Sequence, residues 1–180
     1  MSTAVNWVDL FDVVRAVLIV GAAILYFAMT AGRLDRLHIR VDAARASLEL
    51  QLSIRAEAMA EVLADGNVDP VSQQLMAAAL QARRSRSDDG INLDAESEIS
   101  SLLREVVEAH DGVVAGTDLQ TELRSACNRV EFAHRFYNDA VSAAQLMRDR
   151  PIVKYLGLAG HTAYPLPLRF DVQAPDFADS

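Results

Sequence analysis

Glu131 and His134 stand one helical turn apart, and an acid and an imidazole at that spacing come closer to a reactive centre than anything else in the chain. Side chains three apart on a helix project from one face, and carboxylate-bridged di-iron bundles present part of their ligand set this way. Such centres need the pair twice, plus two further carboxylates. Of the other histidines only His38 has an acid three residues before it, Asp35, whose side chain is shorter and lies beside an apolar segment. Arg135 follows Glu131 by four, so a surface ion pair is the plainer reading. Cys127 is the sole cysteine, which excludes an intramolecular disulfide and a cysteine-based zinc site; beside an apolar stripe it reads as a small buried thiol. Arg83, Arg84 and Arg86 carry enough charge to hold a phosphate, but Asp88 and Asp89 follow at once, and a solvated helix end is expected there. No glycine-rich phosphate loop, nucleophile elbow or His-Glu-x-x-His run is present. The expectation is therefore a non-enzyme without catalytic, cofactor-binding or metal-ligating residues.

The elements that would position these residues follow from composition and period. A chain of 180 residues supports one domain, and its apolar residues, 51% of the total, are unevenly spread. Formal charge is -8, which opposes the basic face that nucleic acid requires and disfavours broad docking on anionic lipid, although a local basic cluster escapes that argument. Sixteen of the seventeen basic residues are arginine, Lys154 being the exception. No Phe, Trp or Tyr occurs from Ala28 to Glu131, so two long stretches of helix pack with Ala, Leu, Val and Met and offer no stacking platform for bases.

Seventeen uncharged residues, Ala16 to Gly32, separate Arg15 from Arg33. With Val13 and Val14 added, the run reaches about 20 residues, the length that crosses a bilayer core. Trp7 and Phe11 precede it at interfacial height, and Asp9 and Asp12 stand where a cleaved signal peptide would be basic. Arg33, Arg36, Arg40 and Arg45 follow the run closely, against Arg15 alone before it. Positive charge stays cytoplasmic, so residues 1–12 are expected outside, 13–32 in the inner membrane of a bacterial cell, and the remainder inside.

Beyond the span the apolar positions Leu34, Leu37, Val41, Ala44, Leu48, Leu52, Ala56, Met59 and Leu63 keep helical period, and no Pro or Gly separates this stripe from the span until Gly66. Asp69-Pro70 opens a second helix with the stripe Leu75, Met76, Ala79 and Leu80, and 85–92 is a polar loop. Asp94 is expected to cap a third helix, with Glu96 and Glu98 in its first turn and the stripe Ile99, Leu102, Leu103, Val106 and Val107. Thr117 with Gln120 matches a capping box for a fourth. Leu119, Leu123, Ala126, Val130, Ala133, Tyr137, Ala140 and Ala144 then step by four and three, a coiled-coil-like seam suited to bundle packing. Pro151 ends this helix, and four of the five prolines fall in 151–180, which is expected to be a short helix to about Gly160 followed by an extended or disordered tail. The predicted fold is all-α: a transmembrane helix, an antiparallel bundle of about four helices over 33–150, and a Pro-containing tail.

Two segments also resemble a known family. Val41-Asp42, Ala44, Leu48-Glu49-Leu50-Gln51-Leu52 and Arg55-Ala56-Glu57 are similar to the first soluble helix of LemA-type proteins. Leu119-Gln120, Leu123, Asn128-Arg129-Val130, Ala133, Arg135, Tyr137-Asn138-Asp139-Ala140-Val141, Pro151 and Gly157 resemble that family's last long helix and its terminator. Ala60-Glu61 stands where the family usually has Pro-Asn, a second Tyr-Asn pair is missing and the proline arrives one residue early, so the resemblance is to a divergent member. It implies one span, a small external tail and an antiparallel bundle; it implies no reaction and carries no catalytic residue.

The functional expectation is a membrane-anchored scaffold that contacts the bilayer through its N-terminal helix and a protein partner, or itself, through the bundle. Leu48, Leu52, Val130, Tyr137 and Asn138 are the candidate packing and interaction seam. A transmembrane signalling or sensor stalk is the alternative, and a metal-bound enzyme on Glu131 and His134 ranks behind both.

Overall fold

The computed structural model of the chain describes residues 7–85, 90–151, 153 and 164–178. Helix α1, Trp7–Asp65, is a single rod of 59 residues that carries the apolar run and continues without interruption into the bundle. Its length follows from composition: no Pro lies within it, and its two glycines, Gly21 and Gly32, fall in the exposed apolar part. One 18-residue window of this rod reaches a mean hydropathy of 2.1 with only 6% of it buried, so by length and composition it is apolar enough to cross a membrane. Gly66, in the left-handed region at φ 77°, turns the chain away.

Helix α2, Pro70–Ser85, begins as the sequence predicts. Asp69 Oδ1 accepts from the amides of Val71 and Ser72 at 3.0 Å each, and the Ser72 hydroxyl and amide hold that carboxyl below its ordinary range. Leu75, expected on the buried stripe, is exposed, whereas Met76, Ala79 and Leu80 are buried.

Helices α3, Leu93–Ala109, and α4, Thr117–Arg148, form where the periodicity places them, but two caps differ. Asn92 rather than Asp94 caps α3, its side chain accepting from the Ala95 amide at 3.2 Å. The helix thus starts one residue before Asp94, which becomes a first-turn acid. Gly116 occupies the N-cap of α4 with no side-chain bond, and Thr117 is already helical. Gln120 does not reach back to complete a box. It is buried, accepting from the Val114 amide at 3.1 Å and thereby pinning the incoming loop.

The four helices make an all-helical bundle, with no strand among the described residues. Antiparallel α1 and α4 form the dominant pair, and α2 packs with α3. The core has two halves. Far from the apolar run, Met59 and Leu63 of α1, Met76 and Leu80 of α2, Ile99 and Val107 of α3 and Leu123 of α4 bury one another. Nearer the run, α2 and α3 contribute no buried core residue, and only Val41, Ala44, Leu48 and Leu52 of α1 meet Val130, Tyr137, Ala140, Val141 and Ala144 of α4. Two helices leave one side of such a core open. Here Leu168, Phe170 and Val172 close it, from a segment of extended chain that takes the place of missing helix. Leu34, Met147 and Val153 seal the end next to the apolar run.

A candidate interaction surface around a closed bundle

The predicted seam is brought together, and it is occupied. Leu48, Leu52, Val130 and Tyr137 fall in one buried cluster between α1 and α4. Asn138 sits at its margin and faces the C-terminal segment. The first four are buried against one another, and Asn138 is half-buried at the edge.

Tyr137 and Asn138 also anchor that segment. The Tyr137 hydroxyl donates to Leu166 O at 3.0 Å, and burial pushes its phenol up. Residues 164–178 run antiparallel to α4 as a strap: Gln145 donates to Pro165 O at 2.8 Å, and Arg104 of α3 pairs with Asp171. At the far end the Ala178 amide donates to Gly112 O at 3.0 Å, while Arg124 and Gln120 donate to Ala178 O. The sequence allows an extended or a disordered tail; over 164–178 it is extended and tied down. The expected short helix up to Gly160 lies almost entirely outside the described residues.

The candidate reactive pair is divided between two structural jobs. Glu131 pairs with Arg135, as spacing predicts. His134 turns to the strap instead, its Nε2 2.9 Å from Leu168 O and its ring edge-on to Phe170 at 4.9 Å. The Asn138 amide nitrogen lies 3.1 Å from the same Nε2 and 3.1 Å from Leu168 O. One carbonyl accepting from both donors satisfies all three groups, which places the proton of His134 on Nε2. Among the described residues no three His, Cys, Asp or Glu side chains are grouped to hold a metal ion. Cys127 is buried, and desolvation pushes its thiol up to about 11, far from a reactive thiolate.

Arg83 departs from the solvated helix end expected of it. Its Nε meets Glu96 Oε1 at 2.5 Å, and Glu96 Oε2 accepts from Arg55 at 2.8 Å. Arg55 also donates to the Ser100 hydroxyl at 2.9 Å. Arg55 and Glu96 are buried, so α1, α2 and α3 are joined by one carboxylate between two guanidinium groups. Nothing in the charge pattern announced this. The available signal was position: Arg55 lies on the apolar stripe between Leu52 and Met59.

The open surface lies on the other side of α4. Phe132 and Phe136 project roughly 160° and 200° around the helix from His134, away from the strap. They are 70% and 47% exposed and flank a cleft shared with Ser47 and Gln51 of α1. Arg129, Arg135 and Asp139 complete its walls, and Arg40 stacks over the Phe136 ring at 5.3 Å. Gln51 Oε1 is buried and has no hydrogen-bond partner among the described residues.

In comparisons with known proteins the chain matches no family model, no curated protein and no solved structure.

Proposed function

We propose that this chain is a non-catalytic, membrane-anchored helical scaffold of the LemA type, which binds a protein partner or a second copy of itself through the Phe132–Phe136 face. The carrying observation is that large aromatic side chains are exposed on one face of α4 while the apolar seam is closed by α1 and the strap. Exposed aromatic pairs beside a cleft are the usual anchors of a protein interface. The exposed apolar part of α1 supports the anchor, and the arginines after it support a bundle on the cytoplasmic side of a bacterial inner membrane.

A photo-crosslinking amino acid at Phe132 in native membranes tests the scaffold. A discrete adduct, lost when Phe136→Ala is added, is expected; a chain that yields none from either aromatic position is not a scaffold of this kind. Single cysteines at Ser2 and Ser180 in a Cys127→Ala background, probed with an impermeant maleimide, test the orientation, and labelling of Ser180→Cys alone would reverse it.

The unbroken rod supports a second reading, a signalling stalk, because torsion in the span would pass directly into the bundle. Two alanines inserted after Arg33 rotate the span about 200° against the bundle. A scaffold keeps its adduct; a stalk loses its output.

A further inference from the structure

Where α1 leaves the apolar run, three arginines line one side of an open cleft. Arg33, Arg36 and Arg40 step by three and four along α1, and Arg150, just beyond α4, faces them. Met29, Leu37, Ala143, Leu146 and Met147 make up the rest of a space of about 700 Å³, and no acidic side chain lines it. Arg36 donates through Nε to Gly32 O at 3.0 Å, and Arg40 stacks on Phe136. No side-chain hydrogen bond or ion pair engages Arg33 or Arg150 among the described residues. Four cations lining one cleft without a carboxylate among its lining residues favour an anion there. In a chain of formal charge -8, that local excess runs against the composition of the whole.

Depth identifies the anion. Arg33 and Arg36 stand roughly 1.5 and 6 Å past the last residue of the apolar run at helical rise, within the interfacial layer of about 5–8 Å on each side of a bilayer core. Arg40 lies roughly 12 Å beyond and can lean back over the cleft. Two exposed apolar side chains border the arginines, Met29 from within the apolar run and Leu146 from the end of α4. A phosphate at that depth with hydrocarbon beside it belongs to a lipid.

We infer that the Arg33–Arg36–Arg40–Arg150 cleft binds the phosphate headgroup of an anionic phospholipid, Met29 and Leu146 resting on its acyl chains. The site clamps the end of α4 to the membrane-proximal end of the bundle through the lipid. It rests on the anchor reading given above and adds a ligand to it.

The full chain is reconstituted into nanodiscs of phosphatidylcholine alone or of phosphatidylcholine with equimolar phosphatidylglycerol, and insertion is checked by resistance to alkaline extraction. Phospholipid retained after gentle detergent release is identified by native mass spectrometry. Preferential retention of phosphatidylglycerol is expected, falling roughly thirtyfold in Arg33→Gln/Arg150→Gln, since each interfacial arginine raises the binding constant about fivefold. Arg135→Gln, on the outer face, should retain the lipid as the native chain does. Equal retention of the two lipids by a properly inserted chain overturns the lipid site and leaves the anchor standing. Displacement of phosphatidylglycerol by millimolar inorganic phosphate overturns the lipid as ligand and makes this a site for a soluble anion. A chain extracted by alkali from both nanodiscs overturns the anchor, and the lipid site with it.

Discussion

The side-chain amide of Asn138 pairs with the backbone of Leu168 in both directions, donating to its carbonyl at 3.1 Å and accepting from its amide at 3.0 Å. A helix has no spare backbone groups to offer an extended segment, and this amide supplies one donor and one acceptor at the spacing a neighbouring strand would. Asn138→Ala leaves the Leu168 amide without its acceptor and its carbonyl with His134 alone, and is expected to destabilise the protein by about 1–3 kcal/mol. Asn138→Asp keeps the acceptor and should fall between. Thermal unfolding of the full chain in detergent gives the ranking, and faster amide exchange at Leu168 locates the effect. Asn128→Ala, exposed on the same helix, should change stability by less than about 0.5 kcal/mol.

Glu96 holds two arginines, so removing it is a different experiment from removing either of them. Glu96→Gln strands the buried Arg55 guanidinium, and a loss of about 3–5 kcal/mol is expected in denaturant titration. Arg83 is partly exposed, so Arg83→Gln should cost about 1 kcal/mol or less. Equal losses in the two variants would mean that the two arginines do not share one carboxylate.

Gly112 and Gly66 separate backbone strain from docking. Both have positive φ, 82° and 77°, but a Cβ at Gly66 meets open space while one at Gly112 would lie 2.5 Å from the Ala178 amide nitrogen. Gly66→Ala should cost about 1 kcal/mol. Gly112→Ala should cost clearly more and release the end of the strap, read as increased protease cleavage near Phe177. Matching losses without new cleavage would show that the strap does not seat on this glycine.

The Arg104–Asp171 pair makes strap attachment sensitive to acid. The hydrogen bond from Arg104 holds the Asp171 carboxyl below its ordinary range. A depressed carboxyl stabilises the folded state above its unfolded value of about 3.9, and that contribution disappears as pH falls through the lower folded value. As pH falls below about 4 the native chain should therefore lose more stability than Asp171→Asn does. Parallel pH profiles for the two proteins would remove this pair from the strap's attachment.

Periodicity made most of this fold legible from residues alone. The α1 stripe from Leu34 to Leu63 and the α4 seam from Leu123 to Ala144 face the core as their spacing requires, because burial along a helix recurs every 3.6 residues whatever it packs against. What escaped were contacts without a period. Asn92 beats Asp94 as a cap through the local path of the loop, and Gln120 is buried by a loop that happens to cross it. The strap binds largely through its backbone carbonyls, which every sequence possesses. Its one readable mark is the alternation Leu168, Phe170, Val172, three inward residues two apart between prolines and charges. The outer face was missed for another reason: Phe132 and Phe136 are set apart from the seam by angle, and their exposure depends on nothing else covering them.

On the proposed anchor, the unbroken helix would turn bilayer thickness into distance. Residues 33–65 extend the span by about 50 Å of rigid rod, so each 10° of tilt carries the far end sideways by roughly 9 Å. A hydrophobic run of about 20 residues tilts more in a thin membrane than in a thick one. The bundle, clasped to the rod by α4, goes wherever that tilt points it. Two otherwise identical copies in patches of different thickness would therefore hold their aromatic faces at different heights above the lipid. What each can reach is set by the geometry of the membrane beneath it.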